Sequence, residues 1–301
     1  AGIIGAKGNN NLGVSGINWD VKLMIIKGGT GVESEVIESY TYPLEMRKRY
    51  NESNGTEGAF VVATNASWGL NGGQPANVPL WCAMYDTLGK YGILNVGAGP
   101  NLNVNVDNFG DLPTGCTSEY LIGVTNMNHL DNKVTLAGYG STHIDLGAFG
   151  DGTWTTTKNG YTSFGGTSGA TPHVTGSVGL LYATPCPSLA LLAKRSPDAA
   201  ATFARNAILN SVDPNASIAN ITSTGGRLNL FKAMNYVLDS CTGTCLPPLG
   251  VTISNISDTS ATIGWTSGID TTTTFNLRYR LVGDTAWTNI TDTLLNVTLT
   301  G

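Results

Sequence analysis

The sequence predicts an α/β domain, built on a mostly parallel sheet with helices on both faces, followed by a partial C-terminal β-sandwich. Three observations support this. Short apolar runs alternate with helical patterns over residues 1–240, as in a parallel sheet. A Gly/Pro-containing linker follows at 241–248. Beyond it, short alternating runs recur at roughly ten-residue spacing, which is typical of a sandwich.

The elements of the predicted sheet follow one another in order. Apolar runs predict strands, and positions with helical spacing predict the helices between them. The run 21–26 is apolar nearly throughout, which is typical of a strand covered on both faces. Pro43 is expected to kink or divide the first helix. The predicted strands are 21–26, 60–64, 93–96 and 121–125. The predicted helices are 31–51, 80–91, one that starts at Ser168 and ends at about 182, and 189–209. In such a sheet, functional groups gather at the carboxyl ends of the strands.

Composition excludes several classes of partner. Charged residues make up only 12% of the 301 residues, and the net charge is −5. Because there is no basic footprint, nucleic acid and anionic membranes are poor candidate partners. No apolar run has the length of a membrane span.

The five cysteines leave at least one thiol unpaired in any intramolecular scheme. Cys241 and Cys245 are predicted to bridge a tight Thr-Gly-Thr loop, and Cys186 is predicted to be free. Cys82 and Cys116 lie in segments that could pack together. Disulfides favour an oxidising compartment.

The stretch Gly166–Gly176 carries the clearest chemical signal. A Gly-Gly turn delivers Ser168 to the start of a helix, with Pro172 in its first turn. There the hydroxyl is exposed, and the backbone N–H is one of the unpaired donors of a helix N-terminus. An acyl-transfer nucleophile needs both features. A lone serine at this position is more often a simple N-cap, so the argument depends on the whole string.

That string, Gly-Thr-Ser-x-Ala-x-Pro-His, resembles the nucleophile motif of the subtilisin-like serine proteases, the subtilase family. Gly169 stands where the family usually has methionine. Further segments resemble the family in the same chain order. They are 1–27 (the stretch after the catalytic histidine motif), 65–69, 98–101, 144–150 (with Phe149 in place of a proline) and 224–229. The resemblance covers roughly residues 1–240 and implies a subtilisin-like fold.

The resemblance also implies roles for particular residues. Ser168 would attack the peptide carbonyl, while Asn101 and the Ser168 N–H would hold the oxyanion. The implied substrate-binding residues are Ser67, Trp68, Gly69, Ala98 and Gly99. The implied activity is that of a secreted or cell-surface serine endopeptidase acting on polypeptides.

In this family the triad runs Asp, His, Ser along the chain. Its first two members are therefore expected upstream of Ala1, and residues 1–301 are expected to be an inactive fragment. His173 lies five residues past Ser168, roughly 140° round the helix axis, and is predicted to be a packed helix residue. His143, beside Asp145, is predicted to be structural. His129 lies in a polar loop.

No cofactor is expected to be required. The turn 7–14 resembles the family's calcium loop around Asn10. Calcium needs six to eight oxygen ligands, and this loop contains no carboxylate, so a plain turn is favoured over a structural calcium site.

Residues 249–301 resemble a fibronectin type III domain that lacks its last strands, on the basis of Trp265 and the run 277–280. Such modules usually bind a partner or act as spacers, and the partner is unspecified.

Two alternatives to a secreted protease remain. One is a binding or adhesion protein on a protease fold that has lost catalysis, favoured by the departures at Gly169, Pro100 and Phe149. The other is an intracellular processing protease, which the appended sandwich disfavours.

Overall fold

The structure is a computed structural model, and it describes residues 1–28, 32–241, 249–266, 275–280, 285–292 and 296–300. The chain divides into two compact units. The first comprises residues 1–184 and 189–240, and the second comprises 185–188 and 241–301.

The helices of the described chain are α1 Gly2–Gly5, α2 Glu33–Glu52, α3 Pro79–Lys90, α4 Val106–Phe109, α5 Thr167–Leu181, α6 Pro187–Arg195, α7 Pro197–Leu209 and α8 Leu230–Asp239. The strands before residue 241 are β1 Ala63–Ala66, β2 Leu70–Asn71, β3 Leu94–Ala98, β4 Asp111–Leu112, β5 Leu121–Met127, β6 Leu146–Phe149, β7 Thr153–Thr157, β8 Gly160–Phe164, β9 Asp213–Pro214 and β10 Gly226–Arg227.

A six-stranded sheet, ordered β1-β3-β5-β6-β10-β9, forms the centre of the first unit. All of its pairs are parallel except β10 with β9. Strands β3 and β5 are buried along their whole length, as expected when helices cover both faces. Helix α5 packs against β1, β3, β5 and β6, and its small residues allow close approach. The predicted fold class is confirmed.

The predicted strand at 21–26 is wrong as stated. This segment forms no helix and pairs with no strand among the described residues. Its side chains are consequently open to solvent, with Leu23 39% and Ile25 78% exposed. The predicted strand at 60–64 starts later, at Ala63.

Two predicted helices also differ in detail. Pro43 does not divide the first helix, which runs unbroken as α2. The predicted helix at 189–209 consists instead of two helices, α6 and α7. Helix α6 ends at Arg195, Ser196 interrupts the helix, and Pro197 starts α7. Proline suits a first helical turn, where its missing N–H has no intrahelical partner.

An aromatic cluster lies between α2, α3 and the sheet. Tyr40, Trp81 and Tyr85 are buried there. The indole N–H of Trp81 donates to the Tyr85 hydroxyl at 2.8 Å, and the two tyrosine hydroxyls lie 3.3 Å apart. Burial raises the pKa of Tyr40 to about 12, so both hydroxyls stay neutral and hydrogen-bonded. The Cys82–Cys116 disulfide links α3 to the loop after β4, and the expected packing of these segments is confirmed.

The second cysteine prediction is wrong. Cys186 pairs with Cys241 rather than remaining free, and their Cα atoms lie 5.5 Å apart. That separation falls in the range that disulfide geometry requires. The sequence suggested a short-range bridge because Cys241 and Cys245 are neighbours, whereas the fold brings together two cysteines 55 positions apart. Cys245 lies outside the described residues.

The second unit contains small antiparallel sheets consistent with a sandwich-like region. Its strands are β11 Leu249–Ser254, β12 Ser260–Thr266, β13 Phe275–Tyr279, β14 Thr288–Asp292 and β15 Asn296–Thr300. They pair as β11-β12-β15 and β13-β14. Trp265 and Val297 are buried. The fibronectin type III assignment stays a prediction.

In the part of the chain that the structure describes, none of the helices combines the length and apolar character of a membrane span.

Candidate active site

Ser168 is the second residue of α5, at the edge of the sheet where β1, β3 and β6 end. Gly166 caps the helix with a φ of 76°, a conformation that favours glycine. A Cβ there would also lie only 2.5 Å from Asn101 Oδ1. Glycine at position 166 is therefore needed both for the backbone conformation and for the close approach of Asn101.

Pro172 is the sixth residue of α5, in its second turn rather than the predicted first. A residue at this position would normally donate its N–H to the carbonyl of Ser168, four residues earlier, and proline has no N–H. The Ser168 carbonyl instead accepts a hydrogen bond from Ser67 Oγ at 3.0 Å. Pro172 thus leaves this carbonyl free to join α5 to the end of β1.

The two serines are bound to each other in both directions. Ser168 Oγ donates to the Ser67 carbonyl at 3.1 Å. Asn65 Nδ2 donates to Ser67 Oγ at 2.9 Å, and Thr175 Oγ1 donates to Asn65 Oδ1 at 2.9 Å. A polar chain therefore runs from the middle of α5 through β1 and back to the proposed nucleophile.

Asn101 follows β3 and is solvent-exposed. Its Oδ1 accepts from the Thr167 N–H at 2.9 Å and from Thr167 Oγ1 at 3.1 Å. These two donors fix the amide orientation. Asn101 Nδ2 makes no hydrogen bond within the described residues, so it is available as a donor beside the N-terminus of α5.

The predicted substrate-binding residues lie on two strand ends. Gly69 is exposed, and a Cβ there would collide with the Leu112 carbonyl, so the close approach of β4 requires glycine. Ala98 and Gly99 are buried, and the Gly99 N–H donates to Val124. The Trp68 ring packs on Tyr40 and Trp81, with centroids 6.4 and 5.7 Å apart, which anchors the segment to the aromatic cluster.

Sequence reasoning missed the residues that hold this site together. Thr167 orients Asn101, while Asn65 and Thr175 orient Ser67. All three stand within or beside the motif strings. Asn65 and Ser67 are two positions apart, whereas Thr167 lies 66 positions from Asn101 and Thr175 lies 110 positions from Asn65. Only the folded chain shows these pairings.

Two of the three histidines are engaged elsewhere, and the third, His129, is exposed. His143 Nδ1 lies 2.9 Å from Asp107 Oδ1, and the backbone N–H groups of His143 and Thr142 bind the same carboxylate. His173 Nδ1 lies 2.9 Å from the Gly169 carbonyl. Burial lowers the pKa of His173, which favours a neutral imidazole donating to that carbonyl. Among the described residues, no histidine forms a hydrogen bond with Ser168.

The turn around Asn10 is closed by its own side chain. Asn10 Oδ1 accepts the Leu12 N–H at 3.0 Å, and Asn9 and Asn11 adopt positive φ angles of 55° and 57°. Asparagine tolerates positive φ angles and closes turns by hydrogen-bonding the backbone two residues on. Within the described ranges, no cluster of three or more His, Cys, Asp or Glu side chains could hold a metal. The preference for a plain turn over a calcium site stays a prediction.

Asp111 is a buried carboxylic acid in β4, the strand that closely approaches Gly69. Thr114 Oγ1 donates to Asp111 Oδ2 at 2.5 Å. Burial nevertheless raises the pKa of Asp111 to about 7. The unfolded chain releases this proton near pH 3.9. The native state therefore binds more protons between these values, and this group makes the free energy of unfolding fall as pH rises from about 4 to about 7.

We expect Asp111→Asn to remove this component. Between pH 5 and pH 8, the stability of the variant relative to wild type should rise by about 2–4 kcal/mol, as judged from the pKa difference. Urea unfolding at both pH values measures it. Asp151→Asn, at an exposed position, is the matched control and should show no such rise. A difference from wild type that is the same at pH 5 and pH 8 would contradict the assignment.

A serine at a helix N-terminus, next to an oriented asparagine amide at the carboxyl ends of parallel strands, is an arrangement that suits acyl transfer. Comparison with protein families agrees, because residues 1–232 match the subtilase family. The chain therefore belongs to the subtilase family of serine peptidases.

Individual relatives give the same result. Thermitase of Thermoactinomyces vulgaris is 28% identical over 246 residues, covering 78% of this chain and 73% of thermitase. A protease structure from Pseudoalteromonas arctica matches with a TM-score of 0.58 at 20% identity, covering 78% of this chain and 69% of that one. The prenylagaramide maturation protease matches with a TM-score of 0.54 at 20% identity, covering 76% and 77%. The structural matches show the shared fold.

Proposed function

We propose that this chain supplies the nucleophile and the oxyanion donors of a serine endopeptidase that cleaves polypeptides. One observation carries the proposal. Ser168 sits at the N-terminus of α5 beside Asn101, whose Oδ1 is held by Thr167 so that Nδ2 is left as a donor. The backbone N–H of Ser168 is a second donor, because the first N–H groups of a helix have no intrahelical partner.

In the proposed reaction, Ser168 Oγ attacks the carbonyl carbon of the substrate and its proton passes to a base. The oxyanion that forms is bound by Asn101 Nδ2 and the Ser168 N–H. Collapse of the tetrahedral intermediate expels the amine, which takes the proton from the base, and water then hydrolyses the acyl-enzyme. Substrate would align as an added strand along Ser67–Gly69. Ala98 and Gly99 would form the floor of the substrate site beneath it.

We propose that the base and its aspartate come from outside residues 1–301. The support is that His143 and His173 are bound to other groups, and that Ser168 Oγ donates to the Ser67 carbonyl. A base must take over this proton before the hydroxyl can attack.

No metal is needed for these steps, and calcium at the Asn10 turn would be structural. The two disulfides support an exported protein.

The domain organisation that we propose is a catalytic domain at 1–240, a linker at 241–248 and a partial fibronectin type III domain at 249–301. The last of these would bind an unknown partner or act as a spacer.

A binding or adhesion protein that has lost catalysis is the second candidate. It is favoured by the engagement of Ser168 Oγ with a carbonyl rather than with a base.

The departure at Gly169 does not favour that second candidate. A Cβ at Gly169 would lie 2.9 Å from the Gly150 carbonyl oxygen, so close packing explains the glycine. At Phe149, the Arg227 guanidinium stacks over the ring at 4.7 Å. These residues have structural reasons that are compatible with catalysis.

Covalent labelling distinguishes the two candidates. The chain is produced together with the residues that precede Ala1 in its gene and is treated with a fluorophosphonate probe. We expect stoichiometric labelling of Ser168 and hydrolysis of casein, both lost in Ser168→Ala. Ser163→Ala, which removes an exposed hydroxyl from the neighbouring β8, should leave both intact. A folded protein that neither labels nor cleaves would support the binding protein.

A further inference from the structure

The carbonyl of Ser168 takes its hydrogen bond from a side chain. Pro172, four residues further along α5, has no N–H to donate to it. Ser67 Oγ donates to this carbonyl instead, at 3.0 Å. A hydroxyl carries only one proton. The bond to Ser168 therefore lasts only while no other acceptor takes the Ser67 proton.

Asn65 is the neighbour that could take this proton or leave it in place. An asparagine side chain presents an acceptor, Oδ1, and a donor, Nδ2. In the structure Nδ2 donates to Ser67 Oγ at 2.9 Å, so the Ser67 hydroxyl accepts from Asn65 and keeps its proton for Ser168. With the amide reversed, Oδ1 would accept the Ser67 proton, and the Ser168 carbonyl would lose its donor.

Thr175 completes the observed arrangement. It is buried in α5, and its Oγ1 donates to Asn65 Oδ1 at 2.9 Å. In the reversed arrangement, this hydroxyl would donate only to the Thr171 carbonyl, 3.2 Å away. That carbonyl lies inside α5 and has a helical N–H partner of its own, whereas Pro172 deprives the Ser168 carbonyl of one. The observed direction therefore satisfies one more backbone group than the reversed direction.

We propose that Asn65 is a positioning residue for the peptidase reaction, with Thr175 fixing the orientation of its amide. Asn65 Nδ2 keeps the Ser67 proton on the Ser168 carbonyl. This bond ties the end of β1 to the residue that bears both the nucleophile and an oxyanion donor, and small displacements of reacting groups lower rates strongly. The effect on turnover rests on the proposed function, whereas the direction of the hydrogen bonds does not.

Asn65→Asp tests the direction of these bonds. A carboxylate only accepts, so Ser67 would donate to it and leave the Ser168 carbonyl, while Thr175 would keep its partner. Asn65→Ala takes no proton and leaves Ser67 able to donate to Ser168. If Asn65 had only a structural role, the aspartate of equal size would be the milder change. The two roles therefore predict opposite orders for the two variants.

Carbon-13 NMR of purified residues 1–301 measures the bond without any turnover. The readout is the Ser168 carbonyl shift, which moves upfield when the oxygen loses a hydrogen bond. We expect the same upfield move in Asn65→Asp and Ser67→Ala, with Asn65→Ala close to wild type. A move in Asn65→Asp no larger than in Asn65→Ala would overturn the proposal.

A second measurement needs no change at Asn65. Its side-chain amide protons should exchange with solvent more slowly in wild type than in Ser67→Ala, because Nδ2 donates to the Ser67 hydroxyl. Equal exchange rates would also overturn the proposal. This measurement decides the matter if Asn65→Asp does not fold.

Steady-state hydrolysis by the chain that includes the residues preceding Ala1 tests the effect on the reaction. We expect kcat to be at least tenfold lower in Asn65→Asp than in Asn65→Ala, the usual effect of leaving a buried acceptor unpaired, with little change in KM. In a Ser67→Ala background this difference should vanish, because the proton in dispute is gone. A difference that persists there would show that the added charge acts directly and would overturn the positioning role. A wild-type chain that does not cleave would count against the proposed function, and the NMR result would still decide the direction of the bonds.

Discussion

Residues 1–301 on their own are expected to leave casein uncut. A serine hydroxyl is a weak nucleophile until a base accepts its proton. In the structure, Ser168 Oγ donates to a backbone carbonyl, which is far too weak a base to remove the proton. His143 and His173 are bound to Asp107 and Gly169. Oxyanion donors alone retain a rate about 10³–10⁴ times that of uncatalysed hydrolysis, which is roughly a millionfold below the rate with a complete triad. Both magnitudes are known from this family and are carried over here.

Casein hydrolysis and fluorophosphonate labelling of purified 1–301 measure this. The labelled fraction should equal that of Ser168→Ala over hours, with a chain that includes the preceding residues as the positive control. Circular dichroism of both chains establishes that inactivity does not reflect unfolding. If Ser168 labels stoichiometrically and casein is cleaved, a base exists within these 301 residues, and the proposal that the base comes from elsewhere fails.

The parts of the site that sequence could predict are local. Ser168 is set by the turn and helix start that its own neighbours encode, since Gly166 supplies the positive φ and Thr167 begins the helix. The parallel sheet follows from strands such as β5, which begins with the short run Leu-Ile-Gly-Val. These features depend on residues close together in the chain, so a single sequence contains their signal.

The parts that could not be predicted depend on distant partners. The apolar run 21–26 has strand character, but whether it pairs depends on what lies beside it. Cys241 has a near neighbour in sequence, yet the fold brings it to Cys186. Pro172 interrupts the helix hydrogen bonds at a point that matters only because Ser67 lies opposite. In each case the deciding contact is formed by a segment far away in the chain.

Asn101→Ala is expected to lower kcat by about 10²–10³ in the protein that includes the base. Losing one oxyanion donor typically has this effect, a magnitude known from this family and carried over to Asn101. KM should change little, because the donor acts where charge develops in the transition state. Steady-state hydrolysis of a peptide anilide measures both constants. Asn103→Ala, two residues along the same exposed loop, should leave both unchanged.

A second substitution separates donation from positioning. Asn101 Oδ1 also accepts two hydrogen bonds from Thr167 at the start of α5, so alanine removes a structural contact together with the donor. Asn101→Asp retains an acceptor for Thr167 but places negative charge where Nδ2 stood. If Nδ2 donates to the oxyanion, the aspartate variant should be at least as slow as the alanine variant, while its thermal stability stays closer to wild type. Recovery of kcat by aspartate would show instead that Asn101 acts only by positioning the helix that carries Ser168.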